Sequence, residues 1–199
     1  MMDSSLDQAF EAFKTEAESI LETMKVIDRE QLRLAVEALA SAERIAASGC
    51  GHSGIACRHF AHLMCCVERP ARFLSPAEAV HGGLGYMKKG DVMVLASRGG
   101  KTDELMAILD VCKRKGVTII GVTENLSSPL ATEADIVLAM RVTKECDKYN
   151  CQGTTSFAVT SAIFDAVQTA LVEYTGYEKM DFALIHPGGA VGKRLNNSN

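Results

Sequence analysis

From Ser5 to Lys25 the apolar residues return at Leu6, Ala9, Phe10, Phe13, Ala17, Ile20, Leu21 and Met24, the three-and-four spacing of an amphipathic helix. Asp28 stands where the cap of a second helix belongs. Leu32, Leu34, Val36, Leu39 and Ala40 give that helix its apolar side before the chain turns at Glu43. Beyond it, β-rich runs at 44–48, 71–74, 92–97, 117–123 and 136–140 alternate with helical patterns at about 54–67, 102–115, 127–133 and 155–174. This alternation predicts a parallel sheet covered by helices on both faces. No Pro/Ser-rich linker or repeat interrupts it, and the closing Asn-Asn-Ser-Asn, 196–199, is expected to fray.

With 199 residues, 47% of them hydrophobic, the chain has material for one core, so a single domain is expected. A net charge of −4 and a pI near 5.8 supply no basic footprint for nucleic acid. The seven cysteines are an odd number, and the start Met-Met-Asp-Ser has neither the charged nor the apolar region of a signal peptide. Both features fit reduced thiols and a cytoplasmic location. No run is read as approaching the 18 apolar residues of a membrane span, so no membrane partner is expected.

Open sheets bind ligands at the carboxyl ends of their strands, where glycine-rich turns lead into helix N-termini. The first strand runs into Gly49-Cys50-Gly51-His52-Ser53-Gly54 and the third into Ser97-Arg98-Gly99-Gly100-Lys101-Thr102. Each offers hydroxyls, backbone N–H groups and a basic side chain beside the positive end of a helix dipole. Two such turns suit one phosphate. Gly100-Lys101-Thr102 ends like a nucleotide-binding P-loop, but the glycine that loop needs five residues earlier is Leu95, inside a strand. The loop is too short to wrap a triphosphate.

These turns resemble part of an ordered set. Gly49–Gly54, Pro76–Gly85, Ser97–Glu104, Lys144-Glu145-Cys146, Thr154-Thr155-Ser156 and Phe182–Gly192 follow the order and spacing of sugar isomerase (SIS) domains. The last of them, F-A-L-x-H-P-G-G-x-x-G, is the most specific, and the arabinose-5-phosphate isomerase branch is the most similar. The resemblance covers roughly residues 40–195, leaving residues 1–40 as helices that pack on the domain or on an oligomer partner. It implies a three-layer α/β/α fold with a five-stranded parallel, flavodoxin-like sheet. It also implies a homodimer or homotetramer with sites near subunit interfaces. Members of that branch often carry CBS modules after the final motif, so a stand-alone SIS domain is the expectation here.

The resemblance further implies phosphosugar binding, with Ser53, Ser97, Thr102 and one of Thr155 or Ser156 on the phosphate. The expected activity is aldose–ketose isomerisation without metal or organic cofactor. That reaction needs a base near carbon and an acid near the oxygens of an enediol. Glu145 matches a functional glutamate and is taken as the carbon base. His186, before Pro187-Gly188-Gly189, is assigned ring opening or proton transfer between oxygens, and His81 contact with the sugar directly or across an interface. Lys101 is placed on the phosphate or the enediolate oxygen. The chain departs from the isomerase pattern where His52 replaces a lysine, Lys101 a glutamate, and Arg98 and Gly99 an Asn-Ser pair. The first two exchanges make the site about one charge more positive with His52 neutral. His52 is kept among the catalytic candidates. His59 and His62 are read as structural.

Cys50, His52, Cys57, Cys146 and Cys151 lack the paired spacing of a zinc site, so no metal is expected. Two other classes stay open at this level: a non-catalytic phosphosugar-binding module or sensor, and a hexulose-phosphate type of isomerase.

Overall fold

The computed structural model describes residues 2–196. Two helices, α1 (Met2–Val26) and α2 (Arg29–Ser41), precede an alternating series: β1 (Ile45–Gly49), α3 (Gly51–Cys65), β2 (Ala71–Phe73), α4 (Pro76–Val80), β3 (Val92–Ala96), α5 (Asp103–Lys115), β4 (Thr118–Thr123), α6 (Pro129–Glu133) and β5 (Ile136–Ala139). Three helices follow, α7 (Thr155–Thr175), α8 (Lys179–Ile185) and α9 (Gly189–Asn196). Asp28 caps α2 as the sequence predicts, its Oδ1 accepting from the Gln31 N–H at 2.9 Å.

The five strands are all parallel and lie in the order β2-β1-β3-β4-β5. Both faces of the central strands β1, β3 and β4 are buried, and their residues alternate between two cores. Ile45, Ala47, Val92, Val94, Ala96, Ile120 and Val122 pack under α2, α3 and α7. Ala46, Met93, Leu95 and Ile119 pack under α4, α5 and α6. The sequence prediction of a helix-covered parallel sheet holds in element order and class.

Three findings go beyond the sequence reading. The apolar stripe of α1 faces away from the body: Leu6, Phe10, Phe13, Leu21 and Met24 are exposed, while Thr15, Ser19 and Thr23 are buried. Ser19 and Thr23 bind the irregular segment after β5. The Thr23 hydroxyl donates to Arg141 O at 3.0 Å and accepts from Arg141 N–H at 2.9 Å, and the Ser19 hydroxyl accepts from Thr143 N–H at 3.2 Å and lies 2.9 Å from the Thr143 hydroxyl. Second, α7 is long and apolar enough to cross a membrane, with a mean hydropathy of 1.3, a property the sequence reading credits to no stretch. Its Val159, Ile163, Phe164, Val167 and Leu171 are instead buried in the core against α2 and α3. Third, α4, α8, α9 and a 3-10 turn at Gly83–Tyr86 have no counterpart in the sequence reading; each is eight residues or fewer, too short to show a period. α9 includes Asn196, whose side-chain amide donates to Ala183 O and Gly192 O. The remainder of the expected frayed tail lies outside the described residues.

Candidate functional site

Three segments converge at the carboxyl end of the sheet. β1 and β3 are neighbours, with Gly49 in register with Ala96, so the turns that follow them begin side by side. In the first, Cys50 is the N-cap of α3, which puts His52 and Ser53 within the first helical turn. Gly54 allows that turn to fold back on β1, since a Cβ there would lie 2.5 Å from Gly49 O. The His52 Nδ1–H donates to Gly153 O at 2.6 Å, which ties α3 to the start of α7 and leaves Nε2 as the outward nitrogen.

The second turn is built around Ser97 and Gly100. The Ser97 hydroxyl accepts from Gly100 N–H at 3.1 Å and lies 2.9 Å from the Thr102 hydroxyl, and Gly100 O accepts from Leu130 N–H at 3.2 Å. Gly100 has φ +66°, and a Cβ there would meet Ser128 Oγ at 2.0 Å and Thr123 Oγ1 at 2.9 Å. Gly100→Ala is therefore expected to destabilise the protein by about 3 kcal/mol, lowering Tm by about 10 °C in thermal melts. A shift below about 3 °C would show that the turn relaxes at little cost.

The third segment, residues 140–154, carries Glu145. Its carboxylate is 3% exposed. Oε1 accepts from Arg98 Nη1–H at 2.8 Å, and Oε2 accepts from the Thr154 hydroxyl at 3.3 Å and Ser156 N–H at 3.2 Å. Arg98 Nε–H in turn donates to Glu124 Oε2 at 2.8 Å, and Glu124 Oε1 accepts from Val142 N–H at 2.9 Å. Beyond Glu145, Asp147 folds the loop: the N–H groups of Gln152, then Cys151 and Tyr149, bind its carboxylate and hold it below the usual carboxylate range. α1 pins the same loop from outside, since Lys144 pairs with Glu11 at 3.6 Å and Cys146 Sγ lies 3.6 Å from Ala12 O.

The structure thus brings His52, Ser53, Ser97, Thr102, Glu145 and Ser156 to one end of the sheet. Lys101 sits exposed in the same turn, without a recorded partner among the described residues. Thr155 faces inward instead: it is fully buried and its hydroxyl lies 3.2 Å from Cys146 Sγ, so Ser156 is the one of the pair open to a ligand. Beside the first turn lies a cleft of about 510 Å³ lined by Cys50, Gly51, Arg58, Phe73, Val80 and Glu104 among others, with the Arg58 guanidinium 4.0 Å above the Phe73 ring. His81, exposed at the end of α4, follows the lining residue Val80.

His186 lies elsewhere. Its Nδ1–H donates to Phe182 O at 2.8 Å and its ring stacks on Phe182 at 3.7 Å. Phe182 borders a cleft with Val67, Gln168 and Val172, where α3 and α7 end. Ser156 touches Glu145 at the start of α7, and the rise from there to Gln168 and Val172 is about 20 Å. Within one chain His186 and Glu145 stand at opposite ends of the sheet.

Other groups are accounted for by packing. Burial pushes the Cys57 thiol up to about 12 and Cys112 up to about 11, which disfavours their thiolates, and burial followed by the Glu104 charge raises Cys50. His59 Nε2 pairs with Asp165 at 3.0 Å and His62 lies 3.6 Å from Cys66 Sγ. Among the described residues no three His, Cys, Asp or Glu side chains are grouped to hold a metal ion. Sequence reasoning marks Arg98 only as a departure from a pattern and misses Glu124 and Glu104. A basic residue inserted next to a hydroxyl-rich turn was the available signal for an ionic partner.

Comparison with known proteins adds to this geometry. The family model for the SIS domain matches residues 38–170. Arabinose 5-phosphate isomerase KdsD of Pseudomonas aeruginosa is 40% identical over 157 residues, 79% of this chain and 48% of that protein. The chain spans about half the length of the curated relatives it matches. A crystal structure of a candidate sugar-phosphate isomerase from Listeria monocytogenes superposes with a TM-score of 0.91 at 42% identity, covering 94% of this chain and 99% of that one. A protein of E. coli CFT073, solved in complex with arabinose 5-phosphate, superposes with a TM-score of 0.86 at 30% identity, covering 94% of this chain and 100% of that one.

Proposed function

Because this chain belongs to the SIS domain family, we propose that it is a phosphosugar aldose–ketose isomerase, interconverting arabinose 5-phosphate and ribulose 5-phosphate or a closely related pair. The observation that carries the reading is Glu145, a buried carboxylate held against both the Ser97 turn and the first turn of α7. A carboxylate offers about four acceptor sites, and Arg98, Thr154 and Ser156 take three, leaving one for a proton from carbon.

The phosphate sits on Ser53, Ser97, Thr102 and Ser156 and on the first N–H groups of α3, exchanging the Ser97–Thr102 hydrogen bond for bonds to its oxygens. Glu145 takes the C2 proton of the open-chain aldose. The C–H electrons form the C1–C2 double bond and the carbonyl electrons move to O1. Lys101 and the outward Nε2 of His52 stabilise that charge. O1 gains a proton, O2 loses one, and Glu145 returns its proton to C1 as the C2 carbonyl forms. His81 contacts the sugar, and His186 handles ring opening and proton transfer between the oxygens.

Since α7 rises about 20 Å from the Glu145 contact to the cleft bordered by Phe182, on which His186 stacks, His186 enters the site from a second copy. The exposed apolar faces of α1 (Phe10, Phe13, Met24) and α8 (Met180, Leu184) suit assembly as a homodimer or homotetramer. Seven free cysteines suit a reducing cytoplasm.

Proton NMR in D₂O with ribulose, arabinose, ribose, xylulose and fructose phosphates tests the proposal. Loss of an aldose's C2 proton signal or a ketose's C1 proton signal, with growth of the isomer on one sugar, supports it. Unchanged sugars with a shifted phosphorus resonance would replace it with a non-catalytic binding module, the reading that the unpaired Lys101 in an acid's place favours.

A further inference from the structure

We propose that Arg98 is a positioning residue that fixes the carbon base relative to the phosphate; the inference rests on the isomerase reading above. Arg98 follows Ser97 directly, so its backbone belongs to the phosphate turn. Arg98 O accepts from Glu124 N–H and from the Thr123 hydroxyl, each at 3.0 Å, which locks that backbone to the end of β4. Its guanidinium bridges two carboxylates at 2.8 Å each, Glu124 at the end of β4 and Glu145 in the irregular loop after β5.

The loop that carries Glu145 has no strand or helix of its own from residue 140 to 154. Met140 N–H donates to Thr123 O at the end of β4, Val142 N–H reaches Glu124, and Glu145 itself is tied to the sheet through Arg98. The Arg98 side chain therefore joins the phosphate turn after β3 to the base, beside the link that Ser156 N–H makes from α7. Misplacing a base by about 1 Å costs about 10²-fold in rate. A guanidinium holds two carboxylates in a fixed planar fork, which a lysine cannot do. Arg98 itself is 36% exposed while Glu145 is 3% exposed, so removing Arg98 leaves the Glu145 charge without its cation, and the kcat-against-KM split is what separates positioning from plain support of the fold.

The test is steady-state isomerisation by the full chain carrying Arg98→Gln, Arg98→Lys or Arg98→Ala, on the sugar phosphate that the wild type turns over. Arg98→Gln is expected to lower kcat about 10²-fold with KM within about threefold. Arg98→Lys, which keeps the charge and loses the fork, is expected to lower kcat about tenfold and supplies the readout if the Gln variant does not fold. Sub-denaturing guanidinium should restore part of kcat in Arg98→Ala. A kcat within threefold of wild type in all three variants overturns the inference. So does a loss carried by KM alone, which would make Arg98 a substrate ligand. Wild-type silence on every sugar would overturn the isomerase reading itself, a result distinct from an active wild type with indifferent Arg98 variants.

Discussion

Glu145→Gln is expected to lower isomer formation and C2-proton exchange by about 10³-fold while the protein stays folded, as judged by circular dichroism and by phosphosugar binding. Gln matches the shape of Glu145 and can keep an oxygen on Arg98 Nη1, so the bridge to Glu124 survives. The amide nitrogen, however, faces Ser156 N–H, a donor against a donor, with a stability cost of about 1 to 3 kcal/mol. What the variant cannot do is accept a proton from carbon. General bases contribute typically about 10²- to 10⁴-fold, which sets the scale of the loss. Turnover within tenfold of wild type would remove Glu145 from the chemistry and leave Arg98–Glu145 as a structural pair.

The second large effect is a gain. Glu145→Gln and His186→Ala proteins, each inactive alone, are expected to regain about a quarter of wild-type turnover when mixed in equal amounts under conditions that exchange subunits. The fraction follows from the geometry. If a site takes Glu145 from one chain and His186 from another, random mixing gives one site in about four with both groups intact, whether the assembly has two subunits or four. If the last helices of one chain could reach back to its own Glu145, no mixture would recover activity. The roughly 20 Å of α7 between Ser156 and the cleft around Phe182 makes the first outcome the expected one. A mixture as inactive as its components would place His186 outside the chemistry or return it to its own chain.

Much of the framework was legible because it is local. Burial on both sheet faces writes β1, β3 and β4 as short apolar runs, and one-sided burial writes a three-and-four spacing into α2 and α5, so most of the element order and the parallel sheet follow from spacing alone. The glycines of the two turns were visible for the same reason: Gly54 and Gly100 answer to contacts with Gly49 and Ser128 that admit no side chain. Spacing also marked the apolar stripe of α1, yet could not say which way it points. That was decided by Ser19 and Thr23 pairing with Arg141 and Thr143, more than a hundred residues away.

The site divides in the same manner. The sequence by itself determined which residue types stand at the strand ends, two hydroxyl- and glycine-rich turns with basic side chains. Only the tertiary structure decided which groups meet. Placing β3 next to β4 lets Arg98 reach Glu124 and Glu145, and the run of α7 from the carboxyl end of the sheet to its far end carries His186 away from both. Strand order and helix direction are settled by packing the whole core at once, and ionic pairing across such distances leaves no period along the chain for a reader to find.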